Sequence, residues 1–234
     1  MATSKRRRSD ATNNQAGINL APEHSQAAEA YRMLRTNIQF FNVDNPLRTI
    51  AVTSATPGEG KTTTTCNLAV SFARNGQRVL IIDADLRRPA VHKAFRLPNT
   101  SGVSTALVST AREFDDFVQF SGIENLWVLT SGPIPPNPAE MVGSQRMKQM
   151  IEHFSDVYDL VIVDSPPMLA VADPVLLGMQ VDGVVLTMRS GKVTKETAVH
   201  AVRSLIGGKC HLLGIVLNAV KRGGEGHQRY YYGD

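Results

Sequence analysis

Short apolar runs alternate with segments of helical periodicity along most of the chain. The runs at 79–82, 160–163 and 184–186 are continuous, which is typical of strands buried on both faces. Strands that alternate with helices predict an α/β fold with a mostly parallel sheet covered by helices. The predicted strands span residues 48–54, 77–83, 126–130, 158–164, 183–189 and 211–219, and the predicted helices span 61–74, 139–154 and 194–206.

Segments at both ends extend this core. Apolar residues recur at helical spacing over 24–41, and this pattern predicts a helix that ends before Pro46. Residues 1–22 are polar and lack periodicity, so we predict a flexible basic arm. The predicted domain spans 23–221, with short helical pieces between Pro89 and Gly122. A Gly- and Tyr-rich tail, also predicted to be flexible, follows over 222–234.

Cysteine content, apolar stretches and charge indicate where in the cell the protein is expected. Cys66 and Cys210 are too few and too far apart for a disulfide framework or a CxxC motif, so we expect a reducing cytosol. The chain has no apolar stretch of about 18 residues, and we expect neither a membrane span nor secretion. The net charge of +4 is concentrated near the termini, including residues 5–8. These basic residues would suit anionic lipid or an acidic partner; charge alone does not exclude nucleic acid, but none is expected.

Residues 55–62 read Ala-Thr-Pro-Gly-Glu-Gly-Lys-Thr and connect a predicted strand to a predicted helix. They match the P-loop pattern except at its first glycine. Gly58 and Gly60 allow the backbone to curl and aim N–H groups at phosphate oxygens, beside a helix N-terminus. Lys61 would contact the β- and γ-phosphates, and the Thr62 hydroxyl would ligate Mg²⁺. The loop predicts ATP binding with hydrolysis or transfer of the γ-phosphate, and its lysine argues against a dinucleotide-binding turn.

Carboxylates follow two of the predicted strands. Asp83, Asp85 and Asp164 stand at carboxyl ends of strands, where open α/β sheets bind ligands. Mg²⁺ usually takes one or two carboxylates, and the predicted metal ligands are Thr62, Asp83 and Asp164. A spare carboxylate would act as general base, and Asp83 is our choice for that role. Asp85 would face the site or pair with Arg87.

Together these motifs resemble the bacterial tyrosine kinases of capsular and exopolysaccharide biosynthesis, the BY-kinases. Residues 55–62 resemble Walker A, 79–87 the second aspartate motif (Walker A′), and 161–164 Walker B. Residues 29–37 are similar to the family's Glu-x-x-Arg-x-x-Arg oligomerisation motif, and 230–232 to its terminal tyrosine cluster. The resemblance covers nearly the whole chain and implies a P-loop NTPase-type fold.

The resemblance also implies how the activity is organised. Glu29, Arg32 and Arg35 would contact a neighbouring subunit in a ring, although pairing of Glu29 with Arg32 inside the helix stays open. The tail tyrosines would accept phosphate between subunits, with Asp83 deprotonating the phenol. The implied phosphoacceptors are Tyr230, Tyr231 and Tyr232. The predicted catalytic residues are Lys61, Asp83, Asp85 and Asp164, and the predicted nucleotide-binding residues are Gly58, Glu59, Gly60, Lys61, Thr62, Thr63 and Asn218.

The resemblance further implies ATP and Mg²⁺ as cofactors and a split organisation. A separate transmembrane chain-length or co-polymerase protein would activate the kinase, and a cognate tyrosine phosphatase would reverse it. The kinase would then be cytoplasmic and peripheral at the inner face of the membrane.

Two other functions remain open on the sequence. A partitioning or division-site switch ATPase shares the three motifs, but usually carries an extra lysine early in the P-loop, where this chain has Thr56. An ATP-regulated assembly module of a polysaccharide export complex would need no phosphate transfer.

Overall fold

The computed structural model describes residues 20–41 and 46–220. Its strands are β1 (Thr49–Ser54), β2 (Val79–Asp83), β3 (Gln119–Phe120), β4 (Leu126–Leu129), β5 (Leu160–Asp164), β6 (Gly183–Arg189) and β7 (Leu212–Asn218). They form one sheet in the order β3-β4-β2-β5-β1-β6-β7, in which only the β3–β4 pair is antiparallel. The predicted mostly parallel sheet is confirmed.

Helices cover both faces of the sheet. They are α1 (Gln26–Phe41), α2 (Lys61–Ala73), α3 (Val91–Phe95), α4 (Val103–Ala106), α5 (Pro138–Val142), α6 (Gln145–Val157), α7 (Asp173–Gly178) and α8 (Lys195–Gly207), with a 3₁₀ turn at Phe114–Phe117. Residues of α1, α2 and α3 belong to one apolar core, and residues of α4 to α8 belong to a second.

The central strands supply side chains to both cores, which explains their continuous apolar runs. In β2, Val79 and Ile81 pack into the core beneath α2, whereas Leu80 and Ile82 pack into the opposite core. Successive side chains of a strand point to opposite faces. A strand covered by helices on both sides therefore has no polar face.

The segment ahead of the core is helical, as the periodicity predicts. Helix α1 packs on α2, buries Ala28 and Ile38, and is tied to it by Arg35, whose Nη1 donates to the Ser71 carbonyl at 2.8 Å. Residues 1–19 of the predicted basic arm, which include Lys5, Arg6, Arg7 and Arg8, lie outside the described residues, as do Asp44 and Asn45 after the helix and the whole tail.

The single helix predicted over 139–154 is wrong. The structure has α5 and α6 there, separated at Gly143 and Ser144. Glycine weakens a helix, whereas serine is a favoured N-cap. The Ser144 hydroxyl accepts from the Met147 N–H at 3.1 Å and so begins a new helix. The sequence interpretation also missed α7 and the two-residue strand β3.

No helix in the described part of the chain is long and apolar enough to cross a membrane.

Phe154 is the largest side chain that is fully buried in the core beneath α6. We expect Phe154→Ala to lower the free energy of unfolding by about 3–5 kcal/mol, because it removes apolar contacts and leaves a cavity. Phe40→Ala is the control, since Phe40 is 72% exposed, and we expect a change below about 0.5 kcal/mol. Urea denaturation followed by circular dichroism measures both values. Equal effects of the two variants would contradict the packing described.

Candidate active site

The loop between β1 and α2 curls at two glycines with positive φ. Gly58 has φ of 77° and Gly60 has φ of 97°, a region that residues with a side chain rarely adopt. The Glu59 carboxylate is fully buried within the loop, where its Oε1 accepts hydrogen bonds from the backbone N–H and the hydroxyl of Thr56. Glu59 therefore offers a ligand its backbone rather than its carboxylate.

The first residue of α2, Lys61, meets two of the predicted aspartates. Its Nζ lies 2.8 Å from Asp85 Oδ2 and 3.4 Å from Asp164 Oδ2. Thr62 Oγ1 donates to Asp164 Oδ2 at 2.6 Å, and Thr65 Oγ1 donates to Asp164 Oδ1 at 3.1 Å. These groups converge because β5 lies between β1 and β2, so the three strands end at the same edge.

Asp83 ends β2 at this same edge and is fully buried. Its Oδ2 accepts the backbone N–H groups of Ala90 and Val91 at 3.2 and 3.1 Å, while Oδ1 has no hydrogen-bond donor. Asp164 uses both oxygens, as does Asp85, whose Oδ1 accepts from the Arg88 N–H. Among the three aspartates, Asp83 alone keeps a free oxygen.

Burial shifts the ionisation of this cluster. Desolvation, followed by the nearby charge of Asp164, raises the pKa of Asp83 to about 8. Burial also raises the pKa of Asp164, against the opposing effect of Lys61. For Lys61 burial lowers the pKa, but Asp164 and Asp85 together outweigh it, so the pKa is raised and the lysine is a cation.

A cavity of about 410 Å³ opens in front of these groups. One wall is formed by Gly58, Gly60, Lys61, Thr62 and Thr63. The facing wall comes from segments that follow β2 and β5, and includes Asp85, Arg87, Arg88, Pro166 and Pro167. Of the predicted catalytic and nucleotide-binding residues, four do not line it: Glu59, Asp83, Asp164 and Asn218.

Arg87 does not pair with Asp85, which corrects one of the two sequence alternatives. Its guanidinium bonds to Asp173 through Nε at 2.9 Å and through Nη2 at 3.3 Å. Asp173 is buried and begins α7. The sequence interpretation missed this partner, although an aspartate followed by Pro174 is a recognisable helix start.

Two residues from the other side of β1 reach the loop. Asn218, the last residue of β7, donates from Nδ2 to the Glu59 carbonyl at 3.0 Å. Lys192, which lies between β6 and α8, donates from Nζ to the Pro57 carbonyl. The sequence interpretation missed Lys192, since no motif marks a lysine so far from the loop in sequence.

The predicted oligomerisation residues are placed on α1. Arg32 forms an ion pair with Glu29 inside the helix, and Arg35 is bound to the Ser71 carbonyl of α2. The Glu29 and Arg32 side chains remain 58% and 41% exposed. Of the two alternatives for Glu29, the structure contains the ion pair with Arg32 inside the helix, and this pair lies on an accessible part of α1.

The chemistry of these groups suits a phosphate and a hard cation better than a protein-only metal site. No group of three or more His, Cys, Asp or Glu side chains within the described ranges is arranged to hold a metal ion. A hydroxyl and a carboxylate beside a helix N-terminus, as in Thr62 and Asp164, leave most positions on Mg²⁺ to phosphate oxygens and water.

Fold and site together define a protein of the P-loop class, and comparison with known families agrees. A family profile described as "AAA domain" matches residues 47–206. Over 214 residues the chain is 47% identical to tyrosine-protein kinase YwqD of Bacillus subtilis, covering 92% of this chain and 90% of the relative. It is 34% identical to the putative tyrosine-protein kinase CapB of Staphylococcus aureus over 90% of this chain and 92% of the relative.

Solved structures support the same assignment. The chimerical protein CapA2B2 superposes with a TM-score of 0.80 at 34% identity, covering 87% of this chain and 93% of that one. The kinase domain of the Escherichia coli tyrosine kinase ETK gives 0.78 at 36% identity, covering 89% and 80%. The chain therefore belongs to the bacterial tyrosine kinases, and it is an enzyme of the tyrosine-protein kinase type.

Position 60 requires glycine for two reasons: its φ is positive, and the Asn218 side chain occupies the space that a Cβ would need. A Cβ on Gly60 would lie 2.0 Å from Asn218 Nδ2, so Gly60→Ala must displace the amide from the Glu59 carbonyl. We expect a loss of about 3 kcal/mol in the free energy of unfolding, from backbone strain and a lost hydrogen bond. Gly76→Ala is the matched control, because its φ is 87° and nothing lies within 4 Å; it should cost about 1 kcal/mol. Chemical denaturation gives both numbers, and similar losses would refute the contact with Asn218.

Proposed function

We propose that this protein transfers the γ-phosphate of Mg·ATP to tyrosines in its own C-terminal tail. The observation that carries the proposal is the contact of Lys61 and Thr62 with Asp164 at the start of α2. Asp83 lies at the same edge of the sheet and has one carboxylate oxygen without a hydrogen-bond donor. The acceptors, which lie outside the described residues, are Tyr230, Tyr231 and Tyr232.

The nucleotide would lie in the 410 Å³ cavity with its phosphates against the P-loop. Gly58 and Gly60 would present backbone N–H groups, and Lys61 would leave Asp85 to contact the β- and γ-phosphates. The remaining predicted contacts come from the backbone of Glu59, from Thr62 and Thr63, and from Asn218. Mg²⁺, held by Thr62 and Asp164 with Asp83 close by, would neutralise charge on the phosphate oxygens.

Asp83 is proposed as the general base. The phenolic oxygen of a tail tyrosine attacks the γ-phosphorus, and the bond from phosphorus to the β,γ-bridging oxygen breaks. ADP leaves, and the phenolic proton passes to the carboxylate of Asp83. The free Oδ1 of Asp83 supports this role, because the carboxylate oxygens of Asp85 and Asp164 already accept hydrogen bonds or ion pairs. Asp85 would hold Lys61 until nucleotide binds.

A ring of subunits would bring each tail to a neighbouring site. Glu29 and Arg32 occupy an accessible part of α1, and their mutual ion pair is exposed, where such pairs contribute little stability. Exchange of this pair for contacts with a neighbour would therefore cost little. Arg35, already bound to α2, would fix the position of α1 in each subunit.

The wider setting is proposed from the family. The kinase would act in capsular or exopolysaccharide synthesis and export, at the inner face of the membrane. A separate transmembrane chain-length or co-polymerase protein would activate it, and a tyrosine phosphatase would reverse the reaction.

Tail phosphorylation is the direct test of this function. We expect mass spectrometry of the C-terminal peptide to find phosphotyrosine after incubation with Mg·ATP and the activator tail. Lys61→Met should abolish it, because the β- and γ-phosphates lose their cation. A mixture of Lys61→Met with the triple Tyr230/231/232→Phe variant should label the tail of the Lys61→Met chain, since transfer occurs between subunits.

Absence of label in that mixture would contradict transfer between subunits. Steady ATP hydrolysis with an unmodified tail would indicate a switch ATPase of the partitioning or division-site type. Normal polysaccharide export by the triple Phe variant would indicate an assembly module.

The assignment of the base has its own test. We expect Asp83→Asn to slow tail phosphorylation by roughly 100-fold or more, because the amide cannot accept the phenolic proton. Nucleotide affinity should change far less, since the nucleotide cavity does not include Asp83. Single-turnover rates and ATP titrations separate the two effects. Asp85→Asn is the matched control, and a larger loss of rate in Asp85→Asn would transfer the role to Asp85.

A further inference from the structure

Two side chains outside the P-loop motif donate hydrogen bonds to carbonyls of the loop. Lys192 Nζ donates to the Pro57 carbonyl, and Asn218 Nδ2 donates to the Glu59 carbonyl at 3.0 Å. Lys192 follows β6 and Asn218 ends β7, and both strands lie on one side of β1. The aspartates lie at the ends of β2 and β5 on the other side, with Asp85 two residues after β2. The loop is therefore held on one side by hydrogen bonds to its carbonyls and on the other by the ion pairs of Lys61 with aspartates.

Each of these carbonyls belongs to a peptide unit whose N–H is on a P-loop glycine. The Pro57 carbonyl shares its peptide with the Gly58 N–H, and the Glu59 carbonyl shares its peptide with the Gly60 N–H. A hydrogen bond donated to a carbonyl polarises the peptide and strengthens its N–H as a donor. Converging N–H groups in such a loop form the anion-binding part of the site. The two contacts would therefore improve phosphate binding.

The space beside each glycine is filled by the same two donors. A Cβ on Gly58 would lie 3.2 Å from Lys192 Nζ, and a Cβ on Gly60 would lie 2.0 Å from Asn218 Nδ2. Both donors thus pack closely against the backbone of the curl. They support its conformation as well as its polarity.

Lys192 and Lys61 differ in the groups that their ammonium groups contact. Lys61 is shared between Asp85 and Asp164. Within the described residues, no carboxylate lies at ion-pair distance from Lys192, and its ammonium contacts a neutral carbonyl. A nucleotide polyphosphate adds several negative charges to an edge that already holds three aspartates. A cation on the loop without an acidic partner would offset part of that repulsion.

We propose that Lys192 is a positioning residue for the polyphosphate of the nucleotide. It holds the P-loop curl from its outer side, polarises the Gly58 N–H and adds positive potential at the phosphates. Asn218 holds the loop at Gly60 and polarises the Gly60 N–H, but as a neutral amide it adds no charge; this role is additional to the nucleotide contact predicted from the sequence. This inference rests on the proposed binding of ATP at the P-loop.

The test is nucleotide binding by the full chain, measured with fluorescent derivatives of ATP, ADP and AMP in the presence of Mg²⁺. We expect Lys192→Met to weaken ATP binding by about tenfold, ADP binding by less, and AMP binding by less than about twofold. Lys192→Arg keeps a charged donor and should remain within about threefold of the wild type. Lys195→Met, an equal loss of charge at the exposed start of α8, should change affinity by less than about twofold.

Several outcomes would overturn the inference. One is a folded Lys192→Met chain that binds ATP within twofold of the wild type. Another is an equal loss for ATP and AMP, which would assign Lys192 to the nucleoside rather than the polyphosphate. Failure of the wild-type chain to bind ATP at all would overturn the proposed function as well, so the two failures are distinguishable.

Discussion

The structure around the site depends on one buried ionic contact, between the Lys61 ammonium and the carboxylates of Asp85 and Asp164. Charges taken out of water are costly unless they are paired and hydrogen-bonded. This pairing lets three aspartates stand at the carboxyl edge of a sheet whose interior is otherwise apolar. It also fixes the start of α2 relative to β2 and β5. The P-loop, the second aspartate motif and Walker B are therefore a single electrostatic unit.

Substrate binding would alter that unit rather than simply fill a cavity. Phosphate oxygens of a bound nucleotide would compete with Asp85 and Asp164 for the Lys61 ammonium. Asp83 occupies a different position, because its Oδ2 is held by the N–H groups at the start of α3 while its Oδ1 remains free. This asymmetry suits a proton acceptor more than a partner for Lys61.

The opposite side of the loop is held by hydrogen bonds to carbonyls, one donated by an ammonium and one by an amide. Lys192 and Asn218 bind carbonyls, so they add no competing negative charge to the phosphate side. Asn218 also lies next to the end of the described chain, and the Ala219 N–H bonds to its Oδ1 at 2.8 Å. The segment that leads into the tyrosine tail thus begins at a residue in contact with the P-loop. The Asn218 side chain thus contacts both the phosphate loop and the backbone of Ala219.

The sequence by itself determined the parallel sheet, helix α1, the P-loop and the three aspartates at strand ends. These features depend on local patterns: continuous apolar runs, helical spacing, and Gly and Lys at fixed positions. Only the tertiary structure decided that Arg87 pairs with Asp173, that the Glu59 carboxylate turns into the loop, and that Lys192 reaches Pro57. The Glu59 contact is local and follows from the curl of the loop, whereas the contacts of Arg87 and Lys192 join residues far apart in sequence. These two long-range contacts are set by strand order, which brings distant segments to the same edge of the sheet.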